Sequence, residues 1–187
     1  MWGQPPRLSR GARLATIRKN INMSGTSGAL GRPHAFQTIF LGGSIAGVLD
    51  GLDAVTFYGL AYAVSPAHLF QSIASGLVGP RAFQGGWFTV VLGVALHFSI
   101  AIGASAVYYA ASLLIPRLFR KPWICGPWFG IALFFFMQHI VLPLSEVAPR
   151  THSMPPVEVL DQLFSHAFFV GLPIALMARR SARCSEI

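Results

Sequence analysis

The sequence predicts an all-α integral membrane protein, a four-helix bundle with an additional short interfacial or re-entrant helix. Three observations predict it. Hydrophobic residues make up 53% of the chain and charged residues only 11%, against about 25% charged in a soluble domain, so the charges are too few to cover a water-facing surface. The apolar residues gather in runs of about 20 or more, the length that crosses a hydrocarbon core of ~30 Å at 1.5 Å per residue. Lys and Arg fall between those runs in the alternation 6, 1, 3, 1, 3, as expected for successive crossings.

Residues 1–35 are basic, rich in Gly, Ser and Pro, and lack the apolar h-region of a secretory signal. They read as a disordered cytoplasmic tail. Met23 is an alternative start. The 22 residues before it have the Arg-rich, acid-free composition of a transit peptide, and an over-extended gene start accounts for them equally well.

The membrane domain is expected over residues 36–178. Its first span, Phe36 to Val64, is helical because lipid offers backbone groups no other partner, and it is interrupted by Asp50 and Asp53. Gly43, Gly47 and Gly51 recur every fourth residue, leaving a smooth groove for another helix backbone. Ser65 and Pro66 read as N-cap and first residue of a short helix to Leu77. It is too short to span and is ended by Gly79 and Pro80.

The second span, Gly86 to Ile115, exceeds the bilayer requirement and must tilt or project; Pro116, Arg117, Arg120 and Lys121 stop it. The third, Trp123 to Ser145, is rich in aromatics, with Phe134, Phe135 and Phe136 read as lipid-facing bulk. The fourth, Val159 to Ala178, contains Pro173 and is expected to kink there. Residues 179–187 form a second basic tail. Trp87, Trp123 and Trp128 are placed as interface anchors.

Positive residues stay on the cytoplasmic side. The amino end, the second loop and the carboxyl end are therefore expected inside, with the Ser65–Gly85 and Glu146–Glu158 connections outside. The net charge of +8 does not imply nucleic-acid binding, because the basic residues flank apolar segments instead of interleaving with aromatics. Cys125 and Cys184 both fall near the cytoplasmic face, where thiols stay reduced, so no disulfide is expected.

Ionisable groups inside a bilayer cost about 2.5–3.5 kcal/mol each on the insertion scale, so each asks for a partner or a role. Asp50 and Asp53 lie on one helix face, His97 in span two, Gln138 and His139 in span three, and His166 in span four. At 1.5 Å per residue, His139 and His166 lie about 10 Å below the outer surface, Asp53 and His97 roughly 15–20 Å, and Asp50 slightly deeper. Side chains turned inward would form a polar funnel of two carboxylates and three imidazoles. Glu146, His152 and Asp161 are assigned to the outer interface as solvated groups.

Such a cluster suits a proton or cation site, a zinc, iron or manganese site, or, with two of the histidines as axial ligands, a haem site. The competing reading is that these groups only hydrogen-bond neighbouring helices, a contribution averaging ~0.6 kcal/mol. No cofactor is assigned. No GxSxG, HExxH, Walker loop or strand-following GxGxxG is present, so the sequence names no enzymatic activity.

Two stretches, Val64-Ser-Pro-Ala-His-Leu-Phe-Gln-Ser-Ile-Ala-Ser-Gly-Leu running on to Phe83-Gln-Gly-Gly, and His166-Ala-Phe-Phe-Val-Gly-Leu-Pro-Ile-Ala, resemble segments of small four-span bacterial membrane proteins that have no assigned activity. The resemblance covers residues 36 to 180 and implies a bacterial inner (cell) membrane, but no site residues. The expected function is the handling of a proton, cation or small solute. A homo-oligomer is expected because four helices enclose little room. The alternatives are a non-transporting structural or accessory subunit, and a metal- or haem-binding protein.

Overall fold

The computed structural model describes residues 32–147 and 154–184, with side chains over 35–147 and 154–181. The expected amino-terminal tail before Arg32, His152, and the end of the carboxyl tail lie outside the described residues. All regular structure in the described residues is helical.

The first span is α1, Arg32–Tyr62, beginning four residues before the expected start. It ends where Ala63 takes φ 53° and the Val64 N–H turns back to the Tyr58 carbonyl at 3.1 Å. Helix α2 is Pro66–Val78; the Ser65 hydroxyl accepts from the His68 N–H as N-cap, and Gly79 closes the helix at φ 67°. A 3-10 turn, Gly79–Gln84, leads into α3, Gly86–Leu114. A single turn, α4 (Arg117–Arg120), carries the basic connection.

The third span starts as α5, Pro122–Phe136, and runs through a π turn, Met137–Val141, to Leu142–Leu144. The fourth comprises α6, Pro156–Ser165, a π turn, His166–Gly171, and α7, Leu172–Cys184. It begins three residues earlier than expected, which brings Glu158 into the helix. Both π turns end two residues before a proline, Pro143 and Pro173. A proline ring crowds the carbonyl four residues earlier, here those of His139 and Phe169, and widening the turn relieves that crowding.

Four helices are long and apolar enough to cross a membrane, and the chain is a multi-pass membrane protein on that ground. Large apolar side chains such as Leu52, Trp87, Phe88 and Leu114 are exposed on the bundle surface, the arrangement lipid favours. Phe135 and Phe136 are exposed, whereas Phe134 is buried with its ring 5.6 Å from that of His166; only two of the three phenylalanines can be lipid-facing bulk.

The bundle is held by glycine seams. Gly43 of α1 lies against the Ile102 backbone of α3, and Gly47 against Phe98 and Ala101. Gly126 and Gly130 of α5 meet the backbone of the fourth span at Gly171 and His166. At Gly43, Gly126 and Gly130 even a methyl group would collide with main chain, and at Gly47 with the Phe98 ring, so the small residue sets the interhelical distance. The fourth span is central, packing on α1 and α5.

At the end carrying the basic connection, Ala46, Ala104, Tyr108, Val170, Ile174, Ala175 and Ala178 form the core, flanked by Tyr109, Leu118, Phe119 and Phe129. At the opposite end α2 packs on α3, where the Phe70 carbonyl rests on Gly93 and Gln71 donates to the Gly86 carbonyl at 3.2 Å. The last turn of α2 is tied to the third span by the Glu146 N–H on the Gly76 carbonyl, 3.0 Å.

Candidate functional site

The chain has six acidic residues, and four of them converge between α1 and α6. Asp50 and Asp53 are one helical turn apart on α1, and Glu158 and Asp161 one turn apart on α6, so each helix presents its pair to the other. The Ser165 hydroxyl donates to Asp50 Oδ1 at 2.8 Å and stands within hydrogen-bonding reach of Asp53. The Tyr58 hydroxyl donates to Glu158 Oε1 at 2.7 Å, and Gln162 Nε2 donates to the Tyr58 oxygen at 3.3 Å. Asp161 lies within electrostatic range of Asp53, Asp50 and Glu158, and its Oδ2 is buried with no hydrogen-bond partner among the described residues.

None of the spans carries a Lys or Arg at this depth. The first has only Arg32 at its amino-terminal end, the second and third have none, and the fourth has only Arg179 and Arg180 at its far end. The base acting on Asp53 is the imidazole of His166. Asp161 is therefore not the solvated interface group expected of it. The early start of the fourth span brings Glu158 into the helix, where it shares one inward face with Asp161 and Ser165 at i, i+3, i+7 spacing.

The histidines divide. His97 places Nε2 2.8 Å from the Gly47 carbonyl. A carbonyl only accepts, so this nitrogen carries the hydrogen, and the ring bridges α3 to α1. His166 Nδ1 donates to the Gln162 carbonyl at 2.9 Å, and His139 Nδ1 to the Phe135 carbonyl at 3.0 Å; each ring folds back on its own helix in or beside a π turn. His166 is half-buried beside the acids. His139 is exposed and does not join them: Gln138 and His139 are adjacent in sequence, about 100° apart around the helix, and Gln138 takes the inward position.

Beside the acids lies a cavity of about 710 Å³, bounded by α1, α2, α3 and the third and fourth spans. Asp50, Tyr58, His68, Ser72, His97, Gln138, Gln162 and His166 are among the groups of its polar wall, and Leu69, Phe70, Ile73, Leu133 and Met137 supply much of its apolar wall. The funnel of two carboxylates and three imidazoles is only partly formed. Asp50, His97 and His166 reach the cavity, Asp53 faces α6, and His139 points away.

Among the described residues no group of three or more His, Cys, Asp or Glu side chains is arranged to hold a metal ion. The three histidines are not brought together: His97 Nε2 bonds to Gly47 and His139 is exposed. Sequence reasoning missed Glu158, Asp161, Tyr58, Gln162 and Ser165. The signal was present in the matched one-turn spacing of two acidic pairs, hidden because the second pair sits near the expected end of a span. Comparison of the chain with family models, curated proteins and solved structures finds no match.

Proposed function

We propose that this protein binds and passes a proton or small cation through the carboxylates between α1 and α6. One observation carries the reading: Asp50, Asp53 and Asp161 gather within a membrane bundle at a depth where no span supplies a Lys or Arg. Like charges this close in a medium of low dielectric cannot all persist, so the group must share protons or hold a cation. Ser165 has a single hydrogen. While it donates to Asp50, a bond with Asp53 forms only when that carboxyl carries the proton, which makes the serine a natural relay between the two.

The proposal places the protein in a bacterial inner membrane with both ends in the cytoplasm, supported by the Lys and Arg alternation and the resemblance noted above. The cavity then opens on the periplasmic half. An accessory role resting on helix packing is favoured by a different observation, the His97 bridge to Gly47 within a glycine seam.

Flux separates the two. Reconstituted into liposomes holding a pH dye, the wild-type protein is expected to pass protons under an imposed potential, and Asp50→Asn with Asp53→Asn to reduce that flux at least tenfold while remaining folded. An absence of wild-type proton, sodium and potassium flux, with lowered detergent stability in the double variant, would establish the packing role instead.

A further inference from the structure

We propose that the cavity beside the carboxylates is a binding site for an organic monocation of drug-like size, whose positive charge is met by Asp50. The inference rests on reading the carboxylates as a proton or cation site and names the ligand class that would compete with the proton there.

The volume of about 710 Å³ falls within the range of roughly 300–1,000 Å³ typical of sites that enclose such molecules. Asp50 is the one acidic side chain on the wall, and no Lys or Arg among the described residues lines it. The wall thus offers one negative charge and no fixed positive one, which disfavours an anion and matches a single cation.

Both deep imidazoles reinforce this. His97 gives its Nε2 hydrogen to Gly47 and His166 its Nδ1 hydrogen to Gln162, so in the neutral ring the remaining nitrogen of each is a lone-pair acceptor. Tyr58, Phe70 and Phe83 add aromatic surface whose faces attract cations. The rest of the wall is mainly aliphatic, which suits an apolar body attached to the charge. A small hydrated metal ion would gain nothing from such a wall.

Binding needs no covalent step. A proton shared among the carboxylates passes to water, and the Asp50 carboxylate faces the incoming cation. One charge enters as one leaves.

The probes are tetraphenylphosphonium and tetraphenylborate, a cation and an anion of nearly the same shape, in equilibrium dialysis against the purified full chain in detergent. A weakly buffered sample containing a pH dye reads proton release. The expected result is saturable binding of the cation near one per chain, with the anion at least tenfold weaker and protons released on addition of the cation.

Asp50→Asn is expected to weaken cation binding at least tenfold. Ile73→Trp, which narrows the cavity and leaves every carboxylate in place, is expected to do the same and carries the test alone if Asp50→Asn does not fold. Equal binding of the two ions, or cation binding unchanged in Ile73→Trp, overturns the inference and marks the cavity as an apolar or lipid-filled space. No saturable cation binding, in a protein whose proton flux still depends on Asp50, overturns the inference and leaves the carboxylate reading standing. Cation binding that depends on Asp50 in a protein without any flux upholds the site and removes the transport reading.

Discussion

The two ends of the bundle handle the same space in opposite ways. At the end bearing the basic connection, Tyr108 fills the interior, its ring 5.0 Å from Phe129 in an edge-on contact and its hydroxyl donating to the Leu118 carbonyl at 3.0 Å. Ile174, Pro122 and Ser112 are buried there as well. At the other end α2 covers the bundle but does not fill it, and a cavity with acids along one side remains. Packing and polar chemistry are thus separated along the bundle axis. The close-packed half holds the helices in place so that the open half can keep carboxylates together, an arrangement that costs stability.

The largest expected effect lies in the packed half. Tyr108→Ala should cost about 3–5 kcal/mol, the range for truncating a buried aromatic side chain, read as loss of thermal stability in detergent. A small effect would mean that the two halves are equally loose. In the open half Asp161→Asn should change stability by less than about 1 kcal/mol, or raise it, because the change removes a charge from beside three other acids and a buried oxygen from an unpartnered position. The same variant should lower flux. A stability loss approaching that of Tyr108→Ala would make the acids structural and erase the contrast.

The histidines sharpen the comparison at the smallest scale. His97→Ala should cost about 0.6 kcal/mol, the average for an interhelical polar contact in a membrane protein, and His139→Ala less, since its ring bonds only within its own helix. Elemental analysis of the same samples adds a second readout. Near-stoichiometric zinc or iron in the wild type that disappears with His97→Ala would restore the metal reading against the donor geometry described above.

Much of this was legible in the chain. Apolar run length and charge alternation led to four spans within a few residues of those observed, and Ser65, Pro66 and Gly79 marked the short helix by capping chemistry that acts locally. Asp50 stood out because an acid within an apolar run is anomalous wherever the helix faces. Asp161 did not, because near the end of a run an acid is ordinarily solvated, and only the rotation of α6 against α1 turns it inward. The inward placing of His139 failed for a related reason: depth follows from counting residues, but rotation about the helix axis depends on what the neighbouring helices present.

The sequence by itself determined the apolar, membrane-type composition, the number and approximate limits of the helices, and the irregularity near Pro173, because each depends on composition or on residues a few positions apart. Only the tertiary structure decided that two acidic pairs 100 or more positions apart would face one another, that Gln138 and not His139 would point inward, and that α2 would leave a cavity beneath it. Those outcomes depend on helix rotation and on backbone contact at Gly93, Gly130 and Gly171, which arise only when all the helices pack together.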